Sequence, residues 1–284
     1  MDKGANILAR IERHRDPVFA IAQDYRDGER IAPHTHAVCQ LMHATSGVMV
    51  AMAESRVWTV TPGRALWIPA RVEHSIRMRG AVKVRALYVR PGLFSTMGGE
   101  VTNVVVSSLA NELILRLVDL DLNEDKFRLR TLIPPILRTE LASAPGKREG
   151  LRIPSSAAAN AVAKSILANP EDRTTIEALA RRYGIGAKTL ARRFGVETGL
   201  TPDAWRRLAR LDEAAARLRL GQSVSQVAFD LGFETVSGFC RAYHASFGET
   251  PGSTKTRDAA RLASRAAPRM AGAKAIPIHR SLGR

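Results

Sequence analysis

The segment PHTHAVCQLMHATSG carries His34, His36 and Gln40, all at even positions, so an extended strand would turn them to one side and Cys39 to the other. His74 follows at the end of GRALWIPARVEH, beyond the breaks at Gly63 and Pro69. Three imidazoles and an amide oxygen could hold Zn²⁺, Ni²⁺ or Fe²⁺, although a donor set with no carboxylate has weaker affinity and does not neutralise the ion's charge. A lone histidine is more often a satisfied core residue, and a polar pocket retained without an ion is the rival arrangement for the group. Glu73, the carboxylate on that loop, is expected to face solvent.

A second set of chemically capable residues lies in the C-terminal third, inside a pattern that occurs twice. Ile176, Leu179, Ala180, Tyr183, Gly184 and Ile185 recur 48 residues later as Val224, Val227, Ala228, Leu231, Gly232 and Phe233. After one extra residue the offset becomes 49, and Leu190, Arg192, Phe194, Gly199, Thr201 and Pro202 match Phe239, Arg241, Tyr243, Gly248, Thr250 and Pro251. Each copy has the parts of a helix-turn-helix. Thr174 with Glu177, and Ser223 with Gln226, have capping-box spacing, an apolar stripe follows, and Gly184 and Gly232 stand where the chain must turn sharply. On the second helix of the first copy Lys188 and Arg192 lie opposite Leu190 and Phe194, with Thr189 and Ala191 beside them. Ser237 and Arg241 hold the corresponding face of the second copy. Arginine can bond guanine bidentately in a major groove, and lysine can reach base or phosphate. A single KTLARR would fit a solvated helix face better than a DNA contact; repetition in the same frame reverses that and favours DNA.

These positions need scaffolds. From about Phe19 to Tyr88 short β-like runs alternate with Gly and Pro breaks, as in a small antiparallel barrel or sandwich, and VKVRALYV shows the period-two pattern clearly. Helical spacing follows over Ser107 to Leu120 and Lys126 to Ala142, where Pro134-Pro135 should kink or split the second helix. ASAPGKREGLRIPSS reads as a linker. Between the two copies TPDAWRRLARLDEAAARLRLG has Thr201 to cap, Pro202 to start and Gly221 to end one continuous helix. Some 18 to 20 residues at 1.5 Å each give roughly 27 to 30 Å, near the ~34 Å between successive major-groove faces.

The net charge of +16 divides as +6 over residues 1–155, +4 over 156–256 and +6 over the tail from Arg257, so charge alone argues only weakly for an anionic partner. No apolar run approaches the roughly 20 residues that span a bilayer, and MDKGANILARIERHRD lacks the apolar stretch of a signal peptide. A cytoplasmic protein with no membrane partner is expected. Cys39 and Cys240, far apart, suit a reducing compartment and supply no disulfide framework.

Residues from about Ala163 to Lys255, with LARRFGVETGLTP and SVSQVAFDLGFETVSGFCRAYHASFGETP, resemble the AraC/XylS-type DNA-binding domain. That resemblance implies base contacts at Lys188, Ala191 and Arg192 in the first unit and Ser237 and Arg241 in the second, with Thr189 and Val236 beside them. Gly186 departs from the usual capping Ser, and TPGSTK departs from a TPxxYR-like ending. Residues 19 to 90 resemble the two cupin motifs, which implies a metal set of His34, His36, Gln40 and His74, with Gln40 where Glu is usual.

The implied architecture is multidomain, α and β. A cupin-like antiparallel β-barrel (17–95) comes first as an effector sensor, followed by a helical dimerisation segment (96–142) and a linker (143–155). An all-α domain with two helix-turn-helix units joined by a long helix (156–256) precedes a disordered basic tail (257–284). The implied function is a DNA-binding transcription regulator, activator or repressor, controlled by a small molecule or metal. Its expected partners are double-stranded DNA, a second copy of the chain and RNA polymerase. The rival is a metal-dependent cupin enzyme with an accessory helical domain, which leaves the duplicated motif unexplained.

Overall fold

The structure, a computed structural model, describes residues 3–121, 127–143 and 150–254; the expected disordered tail, 257–284, lies outside the described residues. A helix, α1 (Lys3–Arg13), precedes strands β1 (Val18–Tyr25), β2 (Arg30–His34), β3 (Cys39–Ala53), β4 (Arg56–Val60), β5 (Arg64–Ile68), β6 (His74–Val89) and β7 (Thr102–Val105). β6 pairs with β1, β2 and β3, while β3 also pairs with β4 and β5, so two long strands hold the antiparallel sheet together. Register shifts in β3 near Ala44 to Val48 let one strand bend from one part of the sheet to the other.

The alternation read from VKVRALYV is present at first: Val82, Val84 and Ala86 are buried while Lys83 is exposed. It fails at Leu87 and Val89, which are also buried, because helices cover the outer face there. Inside the barrel Phe19, Met42, Met49, Met78 and Tyr88 pack with Ile7 and Ile11 of α1, which closes one end. Outside, Leu41, Trp67 and Leu87 pack against α2 (Ser108–Asp121) and α3 (Phe127–Ala142). Helix α3 is not split at its prolines. Pro134 and Pro135 lie within it, and burial of Ile133, Leu137 and Leu141 offsets the two missing amide donors.

Two further strands fall where helix or linker is expected: β7 pairs with β5, and β8 (Leu151–Arg152) adds to β4. Leu151 and Ile153 are buried, which anchors the end of the connecting segment to both halves of the molecule.

Helices α4 (Ala157–Ala168), α5 (Ile176–Arg182), α6 (Ala187–Thr198), α7 (Pro202–Arg219), α8 (Val224–Asp230) and α9 (Val236–Phe247) follow. One core gathers Leu179, Leu190, Phe194 and Trp205; another gathers Leu218, Val227, Phe239 and Tyr243, and Leu208 of α7 packs against both. Thr201 caps α7 by accepting from Ala204 N–H, as its position predicts. Ser223 caps α8 through Gln226 N–H. For α5 the cap is Thr175, not Thr174: the Thr174 hydroxyl donates to Asp172 Oδ1 at 2.6 Å and is already spent. No helix among the described residues is long and apolar enough to cross a membrane.

Candidate nucleic-acid interface and histidine cluster

Each helix-turn-helix turns on a glycine in the left-handed region, Gly184 at φ +67 and Gly232 at φ +76, where a side chain with a Cβ would be strained. Behind these turns α6 and α9 have equal length and end alike, at Gly199 and Gly248 with φ +76 and +71. Leu190 and Phe194, like Phe239 and Tyr243, are fully buried, which fixes the rotation of each helix about its axis. Lys188, Thr189, Ala191 and Arg192 are thereby exposed on α6, and Ser237 and Arg241 on α9. Val236 stands apart: it is half-buried and packs against the second core, because it is the first residue of α9 and faces back toward Phe239. The remaining exposed side chains meet the requirement of a helix laid into a groove, namely donors in front and apolar residues behind.

Helix α7 joins the units over 18 residues, as its sequence length predicts. Arg173 donates to Phe229 O near the end of α8, and Arg210 of α7 donates to Pro170 O and Asp172 O, so the loop before α5 is tied to both α8 and α7. Sequence reading passes over Arg207, which α7 exposes in the cleft beside α9. The signal available for it is only a charged position opposite the buried face of an amphipathic helix.

In the barrel, His34 closes β2 and sits directly across from His74, the first residue of β6. His36 is not on a common strand with His34; it lies in the turn before β3, and the turn itself brings it back. The ring centroids of His34 and His74 are 4.2 Å apart and those of His36 and His74 5.1 Å apart, with candidate ligand nitrogens of all three within 4.8 Å of one another. Each Nδ1 faces a main-chain carbonyl, of Ala32 for His34, Val38 for His36 and Val72 for His74, at 2.7 to 2.9 Å. A neutral ring that donates from Nδ1 leaves its Nε2 lone pair free, which is the arrangement that orients metal-ligating histidines.

Burial supports that protonation state. It holds the His36 imidazole below its ordinary value and pushes His74 down to about 4, so both are neutral at pH 7. Among the described residues His74 Nε2 is buried with no hydrogen-bond partner, a costly state for a polar atom. Gln40 reaches the cluster with Oε1 3.0 Å from His36 Nε2, while its amide N–H donates to the Tyr88 hydroxyl at 3.2 Å. Two lone pairs facing each other at that distance are relieved by a cation between them, or by turning the amide. The cavity beside His34 and Gln40 measures about 20 Å³, room for a water-sized guest and not for an organic molecule. Glu73 is exposed, and Cys39 takes no part in the cluster.

Comparison with known proteins adds to this geometry. Residues 17–113 match the AraC-like ligand binding domain family, and residues 179–257 match a helix-turn-helix domain family. The chain is 27% identical over 242 residues to the HTH-type transcriptional regulator NimR of Escherichia coli, covering 85% of this chain and 88% of that protein. It is 28% identical over 216 residues to the HTH-type transcriptional regulator RipA of Corynebacterium glutamicum, covering 76% of this chain and 61% of that one. Among solved structures, a probable AraC family transcriptional regulator from Rhodopseudomonas palustris is 32% identical over 36% of this chain and 98% of that chain, with a TM-score of 0.35.

Proposed function

The chain belongs to the AraC-type transcription regulators, and from that premise we propose that its histidine cluster controls how its two helix-turn-helix units engage DNA. The protein is a sequence-specific DNA-binding regulator, and its relatives are regulators rather than enzymes. Lys188, Thr189, Ala191 and Arg192 read one major groove, and Ser237 and Arg241 read the next, with Val236 seating the second helix. Helices α2 and α3 leave Leu109, Leu132 and Ile136 about half exposed or more, an apolar face suited to a second copy of the chain. The reading places the protein in the cytoplasm, on promoter DNA and within reach of RNA polymerase.

The effector of the barrel is a divalent first-row metal ion, Zn²⁺, Ni²⁺ or Fe²⁺, held by His34, His36 and His74 with Gln40 beside them. The observation that carries this is the buried Nε2 of His74, without a partner among the described residues, clustered with the imidazoles of His34 and His36. His34 of β2, His74 of β6 and His36 in the turn before β3 would hold such an ion, which would supply positive charge and link those three segments. A larger effector has a separate place, the cavity of about 500 Å³ between barrel residues such as Val50 and Val57 and helices α4 and α7.

Metal analysis of the full chain purified without chelator, with DNA titration of the same preparation, tests the proposal. About one ion per chain is expected. The His36→Ala, His74→Ala double variant should lose it and respond to added metal no longer. A metal-free wild type whose DNA binding ignores all three ions would remove the metal reading and leave the larger cavity as the effector's place.

A further inference from the structure

The cleft between α7 and the start of α9 has a volume of about 520 Å³ and receives three arginines from α7, at positions 206, 207 and 210. Two of them are committed to holding the domain together. Arg206 donates to Thr174 O at 2.7 Å and to Asp203 Oδ1 at 2.9 Å. Arg210 spends Nε and Nη2 on the carbonyls of Pro170 and Asp172, and lies so close to Gly232 that an added Cβ would stand 3.0 Å from its Nη1. Arg207 differs from both. It is exposed, and among the described residues it has no hydrogen-bond or ion-pair partner.

The position of this free guanidinium matters more than its exposure. A chain that reads two successive major grooves must pass the sugar-phosphate strands between them, and the surface facing those strands is the one between α6 and α9. The cleft borders α9, the second of those helices. Its floor is the helix that joins the units, and its wall is the turn and first residues of the second recognition helix, including Thr235 and Gly238. Arg206 and Arg210 lie beside Arg207 in the cleft, and the carboxylate of Asp203 is bonded to Arg206. Glu234 on the rim carries the one opposing charge among the cleft residues not bonded to an arginine there.

We propose that Arg207 binds a phosphate of the DNA backbone between the two grooves, a contact that sets the register of both recognition helices and reads no base. A planar guanidinium makes two parallel bonds to a phosphate, which gives it a geometric role that lysine fills less well. The contact rests on the DNA-binding activity and is independent of the histidine cluster.

Full-length wild type, Arg207→Ala, Arg207→Lys and Glu234→Gln are titrated against two duplexes, one selected by the wild type from a random-sequence pool and one of scrambled sequence, between 50 and 200 mM salt (about the range over which phosphate contacts tell). Arg207→Ala should weaken binding to both duplexes by about 5- to 20-fold at the lower salt and reduce the slope of log K against log salt by about 0.9. Arg207→Lys should keep the wild-type slope, and Glu234→Gln should tighten binding to both duplexes. Unchanged affinity, a loss confined to the selected duplex, or a loss with the salt slope intact would each overturn the proposal. Should Arg207→Ala melt early, the slope in Arg207→Lys and the sign of the Glu234→Gln effect decide.

Discussion

In the first helix-turn-helix unit Lys188, Arg192 and Arg193 are exposed along α6, whereas the matched positions on α9 are Ser237, Arg241 and a half-buried Ala242. Only the arginine at 192 and 241 keeps its charge in both. The caps differ in the opposite sense: Gly186 offers α6 no side-chain acceptor, while the Thr235 hydroxyl accepts from Gly238 N–H at the start of α9. Below the surface the units coincide, with Leu190 and Phe194 as fully buried as Phe239 and Tyr243. Packing thus fixes which faces point outward, and the outward faces are free to differ. The first unit has the chemistry of an electrostatic grip on phosphate and guanine. The second has a better-anchored helix with a nearly neutral face, suited to contacts whose worth lies in shape and direction.

The largest effects should come from the shared interior. Phe194→Ala and Phe239→Ala should each cost about 3 to 5 kcal/mol of stability in urea unfolding, by loss of buried area and the cavity left behind. Hydrogen exchange tells whether the units are separable. Amides of the unit that carries the change should speed up first, since the two cores meet mainly at Leu208; equal acceleration in both would make them one cooperative block.

Next in size are the two arginines. Arg192→Ala and Arg241→Ala should each weaken binding to a selected site by about 1 to 3 kcal/mol and relax base preference at different positions. Repeating the selection with each variant checks this, and relaxation at the same position would erase the division between units.

The caps should move stability less. Thr235→Ala is expected to cost about 1 kcal/mol and Gly186→Ser to gain a few tenths, both read from thermal unfolding. A gain from Gly186→Ser as large as the loss from Thr235→Ala would mean that glycine was a liability there.

The smallest effect concerns acid. The Ser156 and Ser155 amides donate to Glu197 Oε2 and hold its carboxyl below the usual carboxylate range. Because the folded value is depressed, this stabilisation is present above the unfolded carboxylate value and is lost as pH falls through the folded one. Glu197→Gln should lower the unfolding temperature slightly at pH 7 and leave it unchanged relative to wild type in acid.

Much of this was legible in the residues. The duplicated pattern located both units, the α7 helix and its cap, because glycine turns and helix starts are local and carry their own chemistry. The histidine cluster was legible as residue types but not as geometry: His36 lies in a turn, and only the pairing of β2 with β6 brings His34 across from His74. Thr174 looked like a cap until Asp172 claimed its hydroxyl, and a half-buried Val236 followed from helix rotation that no spacing could set. Helix α1 and strand β8 escaped notice because each is stabilised by distant residues, α1 by the barrel interior and β8 by β4. The ion pair between Arg79 of β6 and the buried Glu213 of α7 joins residues 134 apart in the chain and leaves no local trace.

Hydroxyl-radical footprinting of the full-length protein on a selected site tests the central claim most directly. Each bound chain should protect backbone on either side of two adjacent major grooves, centred about 10.5 base pairs apart, and Arg241→Ala should weaken one of the two protections while leaving the other. A footprint confined to a single groove per chain, unaltered by Arg241→Ala, would contradict the account.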